Sequence, residues 1–148
     1  MKKYIVFVAF LALASCSQST FAPQPAVSNG QLLFIGANQS DCRNQSGSLE
    51  TKASECALIS STKFEGESLK IIVDQKAFCS SKFTLTSKIV GNTITLKSQD
   101  TSTVASRCTC NYDLSYSFSG IKPGLYKIDY DGNVYNNEPC KTFTTVTK

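Results

Sequence analysis

The chain has no histidine and no tryptophan, and only one methionine. Histidine is the commonest general base and a common zinc and copper ligand. Its absence removes the Ser-His-Asp and Cys-His relays and argues against an ordinary hydrolase. A strong excess of one charge is missing too: 15 basic residues stand against 11 acidic ones. If Lys2 and Lys3 leave with the leader described below, 13 of the 15 remain, and they are scattered. No nucleic-acid partner is expected from such a distribution. No cofactor fingerprint is present, so no cofactor is expected. The chain has a single long apolar run, at the N-terminus, and 148 residues are one domain's worth.

That apolar run explains the address. Lys2 and Lys3 form a short positive region, Tyr4 to Ala12 an apolar one, and Leu13-Ala14-Ser15-Cys16 a cleavage box. The run is too short to make a stable membrane-spanning helix. Leu-Ala-Ser-Cys resembles the bacterial lipobox, in which the leader is cut before a cysteine that takes a diacylglyceryl group, here Cys16. The resemblance implies a signal peptide over 1–15, a lipidated, palmitate-bearing tether over 16–30 and a domain over 31–148. Residues 17–30 are polar and proline-bearing with no periodicity, as a tether should be. Ser17 is not the aspartate that retains some lipoproteins at the inner membrane, and no acidic run follows Cys16. The expected location is the outer membrane, facing the periplasm.

Cysteine parity agrees with this. Seven cysteines are an odd number, and giving Cys16 to lipid leaves Cys42, Cys56, Cys79, Cys108, Cys110 and Cys140. An even set in an exported chain reads as a disulfide framework. Cys42 and Cys56 bracket the middle of a polar stretch, Ala37 to Thr62, that cannot bury enough surface to order itself, so Cys42–Cys56 is the first expected bridge. Cys79–Cys108 and Cys110–Cys140 complete one arrangement of fifteen, and exchanging the partners of Cys108 and Cys110 gives another. A short helix within Leu49 to Ala57 is an open expectation.

From Ser68 onward the period is two. Leu69, Ile71, Val73, Ala77 and Cys79 share one parity, Phe83, Leu85 and Ile89 another, and Tyr112, Leu114, Tyr116 and Phe118 a third. Gly91-Asn92 reads as a hairpin turn, Gly120 to Gly124 as a second and Asp131-Gly132 as a third. The expected fold is all-β, an antiparallel β-sandwich of about seven or eight strands stapled by disulfides, with Cys108 to Tyr130 as its central hairpin.

Phe118-Ser-Gly-Ile-Lys-Pro-Gly-Leu-Tyr126 resembles the Phe-x-Gly-Leu-x-Pro-Gly-x-Tyr signature of transthyretin-like and carboxypeptidase-regulatory-like β-sandwiches. The C-terminal half is also similar to small uncharacterised Bacteroidetes-type lipoproteins. The similarity lies in Cys79, Asn92 to Thr95, Cys108 to Tyr116 and Pro123 to Tyr126. These resemblances imply a fold and a compartment, not an activity.

Four constellations could carry chemistry. Cys108 and Cys110, two apart on a strand, could share a soft metal with Cys79 and Cys140, but bridges are the commoner outcome in an exported protein, and no metal is expected. Asp129, Asp131 and Asn133 around Gly132 could ligate calcium, although an Asp-Gly turn needs no ion. Glu65 and Glu67 are a carboxylate pair with no cleft to serve, and Asp113 is an edge charge. Tyr112, Tyr130 and Tyr135 form a candidate contact surface for a glycan or an envelope protein, and strand aromatics are more often core. The reading is a lipid-anchored envelope protein with a non-catalytic binding or structural role. The alternatives are an inhibitor or accessory subunit presenting the Ala37–Thr62 segment, and a thiol-based metal carrier.

Overall fold

The computed structural model describes residues 31–46, 57–104, 106–133 and 139–148. The leader, the whole tether with Cys16, Cys56, the proposed Leu49–Ala57 helix (save its last residue) and Tyr135 lie outside them. Within them the chain forms nine strands and no helix: β1 (Leu33–Gln39), β2 (Arg43–Ser46), β3 (Ala57–Glu65), β4 (Ser68–Phe78), β5 (Phe83–Val90), β6 (Thr93–Asp100), β7 (Thr109–Ser119), β8 (Leu125–Asn133) and β9 (Pro139–Thr147). They make two sheets. One has the order β1-β7-β4-β3, with β2 also on β7, and the other β5-β6-β8-β9.

Alternation builds the core. The inward parity of β4 buries Leu69, Ile71, Val73 and Ala77, and that of β7 buries Cys110, Tyr112, Leu114, Tyr116 and Phe118. Ile94 and Leu96 of β6, and Ile128 and Tyr130 of β8, face them from the second sheet. Each large apolar side chain so placed contributes roughly 1.5–3 kcal/mol relative to exposure. Tyr116 and Phe118 are buried, as the parity predicts.

Three expectations are corrected. First, Cys108 to Tyr130 is not a hairpin: β7 belongs to the first sheet and β8 to the second, so Gly120 to Gly124 carries the chain across the sandwich. Ile121 is buried between the sheets. The Tyr126 hydroxyl reaches back to the Lys122 backbone, donating to its carbonyl at 3.0 Å and lying 3.3 Å from its N–H. Alternation records which face a residue takes, not which strand lies beside it. Gly120 adopts a left-handed φ of 76° and lies so close to the Gln31 carbonyl that no Cβ fits.

Second, Asp131-Gly132 is not a turn, because β8 runs through it to Asn133, paired with β9 and parallel to β6. The glycine serves a close approach instead. A Cβ at position 132 would lie 2.5 Å from the Tyr130 hydroxyl and 2.7 Å from Ser98 Oγ.

Third, Ala37 to Thr62 is largely sheet where it is described. Ala37 to Gln39 ends β1, Arg43 to Ser46 is β2, and Ala57 to Thr62 begins β3. Pairing with neighbours satisfies a polar backbone whose side chains could not order it alone. Between β1 and β2, Ser40 keeps the ladder on β7 continuous. Its N–H donates to the Asp113 carbonyl, and its hydroxyl accepts from the Asp113 N–H, both at 2.9 Å.

A polar seam joins the sheets. Gln75, fully buried in β4, accepts hydrogen bonds from Ser98 Oγ (2.8 Å) and from the Tyr130 hydroxyl, and these two hydroxyls lie 2.5 Å apart. Burial pushes the Tyr130 and Tyr116 hydroxyls well above the ordinary tyrosine range, so both stay protonated. Gly132→Ala should therefore cost about 2 kcal/mol or more through overpacking. The cost should couple to Tyr130→Phe, which removes the nearest atom. Urea denaturation of both single variants and the double variant checks this, and strict additivity would count against it.

Candidate functional site

Two regions concentrate polar and reactive groups. The first is the outward face of the second sheet. Cross-strand register places Thr86, Lys97, Asp131 and Lys141 in one row, and Lys88, Thr95, Asp129 and Phe143 in the next. Inward-facing Cys140 and Val146 set the phase of β9, and that phase turns Phe143 outward. Phe143 is 73% exposed, the most exposed of the large apolar side chains described. Lys127 Nζ stands 5.8 Å from the Phe143 ring centroid and 3.0 Å from an Asp129 carboxylate oxygen. Lys97 pairs with Asp131 at 3.7 Å. A shallow depression of about 470 Å³ runs along Asp129, Asp131, Lys141 and Phe143. A second, of about 200 Å³, is lined by Thr84, Thr86, Lys97, Gln99 and Asp131, so Asp131 borders both.

The second region is the end of the sandwich where β7 begins. Cys42, between β1 and β2, is bridged to Cys110, with Cα atoms 5.4 Å apart. Cys79, just after β4, is bridged to Cys108, with Cα atoms 5.6 Å apart. Cys79 N–H also donates to the Cys108 carbonyl at 3.1 Å. The Cys79–Cys108 pairing is the expected one, and the other two expected bridges are corrected. Cys42–Cys56 and Cys110–Cys140 cannot stand, because Cys42 and Cys110 hold each other. Cys140 is disulfide-bonded as well. The cause is the β2 strand, which brings residue 42 onto the edge of β7 rather than leaving it in a free loop. Loop closure over separations of 68 and 29 residues is worth on the order of 4 kcal/mol for each bridge in the chain-entropy account.

Polar contacts brace this end. The Gln39 amide donates to the Ser81 carbonyl and accepts from the Phe83 N–H, both at 2.9 Å. Ser81 Oγ donates to Asp100 at 2.5 Å, and the Ser102 N–H donates to the same carboxyl at 2.8 Å. Burial works to raise the Asp100 pKa, but the hydrogen bonds from Ser81 and Ser102 outweigh it and hold the carboxyl below its ordinary value. On the outer side, Arg43 bridges Asp113 (2.5 Å) and Asp74 (3.5 Å), so Asp113 is half of an ion pair.

Nothing among protein families, curated proteins or solved structures matches the chain. The arrangement of its own residues therefore carries the functional reading. The expected tyrosine surface is not one: Tyr112 and Tyr130 are 2% and 1% exposed. The Tyr112 hydroxyl donates to the Phe78 carbonyl at 2.9 Å, and its ring packs edge-on against Phe83. Tyr135 lies outside the described residues. Asp129 and Asp131 sit two apart on a strand and each is engaged by a lysine, so they do not form a calcium loop. Glu65 and Glu67 flank the exposed turn at Gly66. Phe143 was missed although its parity, opposite Cys140 and Val146, was readable.

Because the Asp100 carboxyl binds its proton less readily folded than unfolded, its contribution is present above the ordinary aspartate pKa of 3.8. It is lost as pH falls through the lower folded value. Ser81→Ala should therefore flatten the acid limb of stability below the ordinary aspartate pKa of 3.8 while leaving the neutral m-value unchanged. Denaturation midpoints across that range provide the measurement.

Proposed function

We propose that this chain is a lipid-anchored protein of the bacterial cell envelope, tethered through Cys16, whose β-sandwich works by binding and not by catalysis. The same proposal covers its place at the outer membrane and its kinship with transthyretin-like sandwiches. The contact surface is the outward face of β6, β8 and β9, and the ligand is a glycan. Phe143 carries this reading. A large aromatic ring 73% exposed on the edge strand β9 adds little to the core, whereas a pyranose offers a face of C–H groups that stacks on such a ring. The charges around it support the same ligand class. Lys127 is spent on Asp129, and Lys97 on Asp131. Lys88 and Lys141 are the remaining lysines of the face, so the lip is polar and only mildly basic, and suits hydroxyl groups better than a strongly charged partner.

Two measurements test the reading. In a bacterial host, a palmitate analogue should label the chain, and Cys16→Ala should abolish the label. Lipid on Cys16 also dictates the cysteine map. With Cys42, Cys79, Cys108 and Cys110 paired among themselves, non-reducing peptide mapping should join the Cys140 peptide to that of Cys56. A Cys140–Cys16 peptide would overturn the anchor. Binding to envelope polysaccharides should weaken about tenfold or more in Phe143→Ala with no change in stability. Equal retention of both proteins on every polysaccharide would remove the glycan reading.

A further inference from the structure

The two bridges at the start of β7 do not stand apart. The Sγ atoms of Cys42, Cys79 and Cys110 all lie within 4.8 Å of one another. Yet Cys79 belongs to one disulfide, and Cys42 and Cys110 to the other. A sulfur of the first bridge thus sits little beyond van der Waals contact from both sulfurs of the second. Cys108 stands one residue before β7 and Cys110 is the second residue of that strand, which is why the two bridges arrive side by side. Cys42, Cys79 and Cys108 all reach the surface in part, whereas Cys110 is 1% exposed. Both arginines of the chain adjoin cysteines of this cluster, Arg43 after Cys42 and Arg107 before Cys108. Arg43 is occupied by Asp74 and Asp113, and Arg107 is exposed. A cation beside a bridge favours the thiolates on which exchange depends.

We propose that these four cysteines form a thiol–disulfide exchange site whose substrate is an external dithiol. The inference is independent of the glycan reading. The thiolate of the incoming dithiol attacks Cys108 Sγ. A mixed disulfide forms there and Cys79 leaves as a thiolate, carrying the electron pair of the broken bond. Cys79 then attacks Cys110 or Cys42, forming a crossed bridge and releasing the other as a thiolate. The second thiol of the substrate attacks its own sulfur in the mixed disulfide, which frees Cys108 and leaves the substrate oxidised. Two electrons have entered at the Cys79–Cys108 bridge, and one of the thiols they generate lies at the Cys42–Cys110 one. One disulfide and two thiols remain. Release of Cys42 unpins the junction of β1 and β2, so the site is coupled to the edge of the first sheet.

The test begins with Cys108→Ser, which leaves Cys79 as a thiol without any reductant. Alkylation and non-reducing peptide mapping of the folded protein should find Cys79 bridged to Cys110 or Cys42, with the displaced cysteine carrying the alkyl group. An alkylated Cys79 beside an intact Cys42–Cys110 bridge would overturn the proposal. Should this variant fail to fold, the wild-type chain decides. It is treated with less than one equivalent of dithiothreitol and quenched with N-ethylmaleimide. The crossed bridge should predominate among species with two alkylated cysteines at this end, and Cys108 should be one of the two. Native bridges alone in that fraction would equally overturn the exchange site. The Cys79→Ser/Cys108→Ser double variant, which keeps Cys42–Cys110, should yield no crossed peptide.

Discussion

The pairing of β4 with β7 is the constraint on which the rest depends. It runs unbroken over eleven residue pairs, from Ser68 opposite Ser119 to Phe78 opposite Thr109. Because the side-chain period is two, that register fixes at once which residues of both strands face the core. It sets Leu69 beside Phe118, Ile71 beside Tyr116 and Val73 beside Leu114, and these buried pairs form one wall of the sandwich. A slip of one residue would turn Tyr116 and Phe118 to solvent. It would also turn Ser115, Ser117 and Asp113 inward, where each would lack water and a partner. The same register ends by bringing Ala77 opposite Cys110. Cys79, beyond the end of the ladder, therefore meets Cys108, and the bridges follow from the strand pairing.

The buried seam of Gln75, Ser98 and Tyr130 is the counterpart on the other axis. Apolar faces of two sheets can slide past one another at little cost, since dispersion contacts are non-directional. A glutamine carbonyl that accepts from one hydroxyl on β6 and another on β8 fixes their relative position. Displacing it would leave a buried amide unsatisfied, at about 1–3 kcal/mol. Gly132 makes that arrangement possible by withholding a Cβ where the two hydroxyls converge. The glycine that looked like punctuation is a packing residue.

Much of the fold was legible because alternation in Phe83 to Ile89, in Tyr112 to Phe118 and, but for Ile72 and Gln75, in Leu69 to Ala77 records burial directly. The hairpin at Gly91-Asn92 was legible for the same local reason. What could not be read is partnership. Tyr112 to Phe118 and Leu125 to Tyr130 are both good strands joined by a good turn, and nothing local says that they part into different sheets. β2 was hidden because its side chains are polar, and β3 because Ser60 to Lys63 interrupt its apolar residues; the order of both comes from backbone pairing to β7 and β4. The bridge of Cys42 was hidden with them, since a cysteine's partner is decided by the strand that carries it. On the outward face the tyrosines misled because strand aromatics divide between core and surface by parity. Tyr130 shares the inward parity of Ile128, and Phe143 opposes that of Val146.

The distribution of these features along β7 bears on the proposed lipid anchor. Gln31 lies against Gly120, just past the last residue of β7, so the chain enters the sandwich at that end. The disulfide cluster lies at the first residues of β7, eleven residues away, roughly 35 Å at the rise of an extended strand. A lipid on Cys16 would therefore join the molecule at one end and leave the cysteines at the opposite one, where a soluble dithiol meets them without crossing the bilayer surface. The Phe143 face lies along the side between the two ends, parallel to β8 and β9. The entry of the chain at Gln31, the side face and the sulfur cluster thus occupy separate parts of the sandwich, and a ligand on one need not obstruct the others.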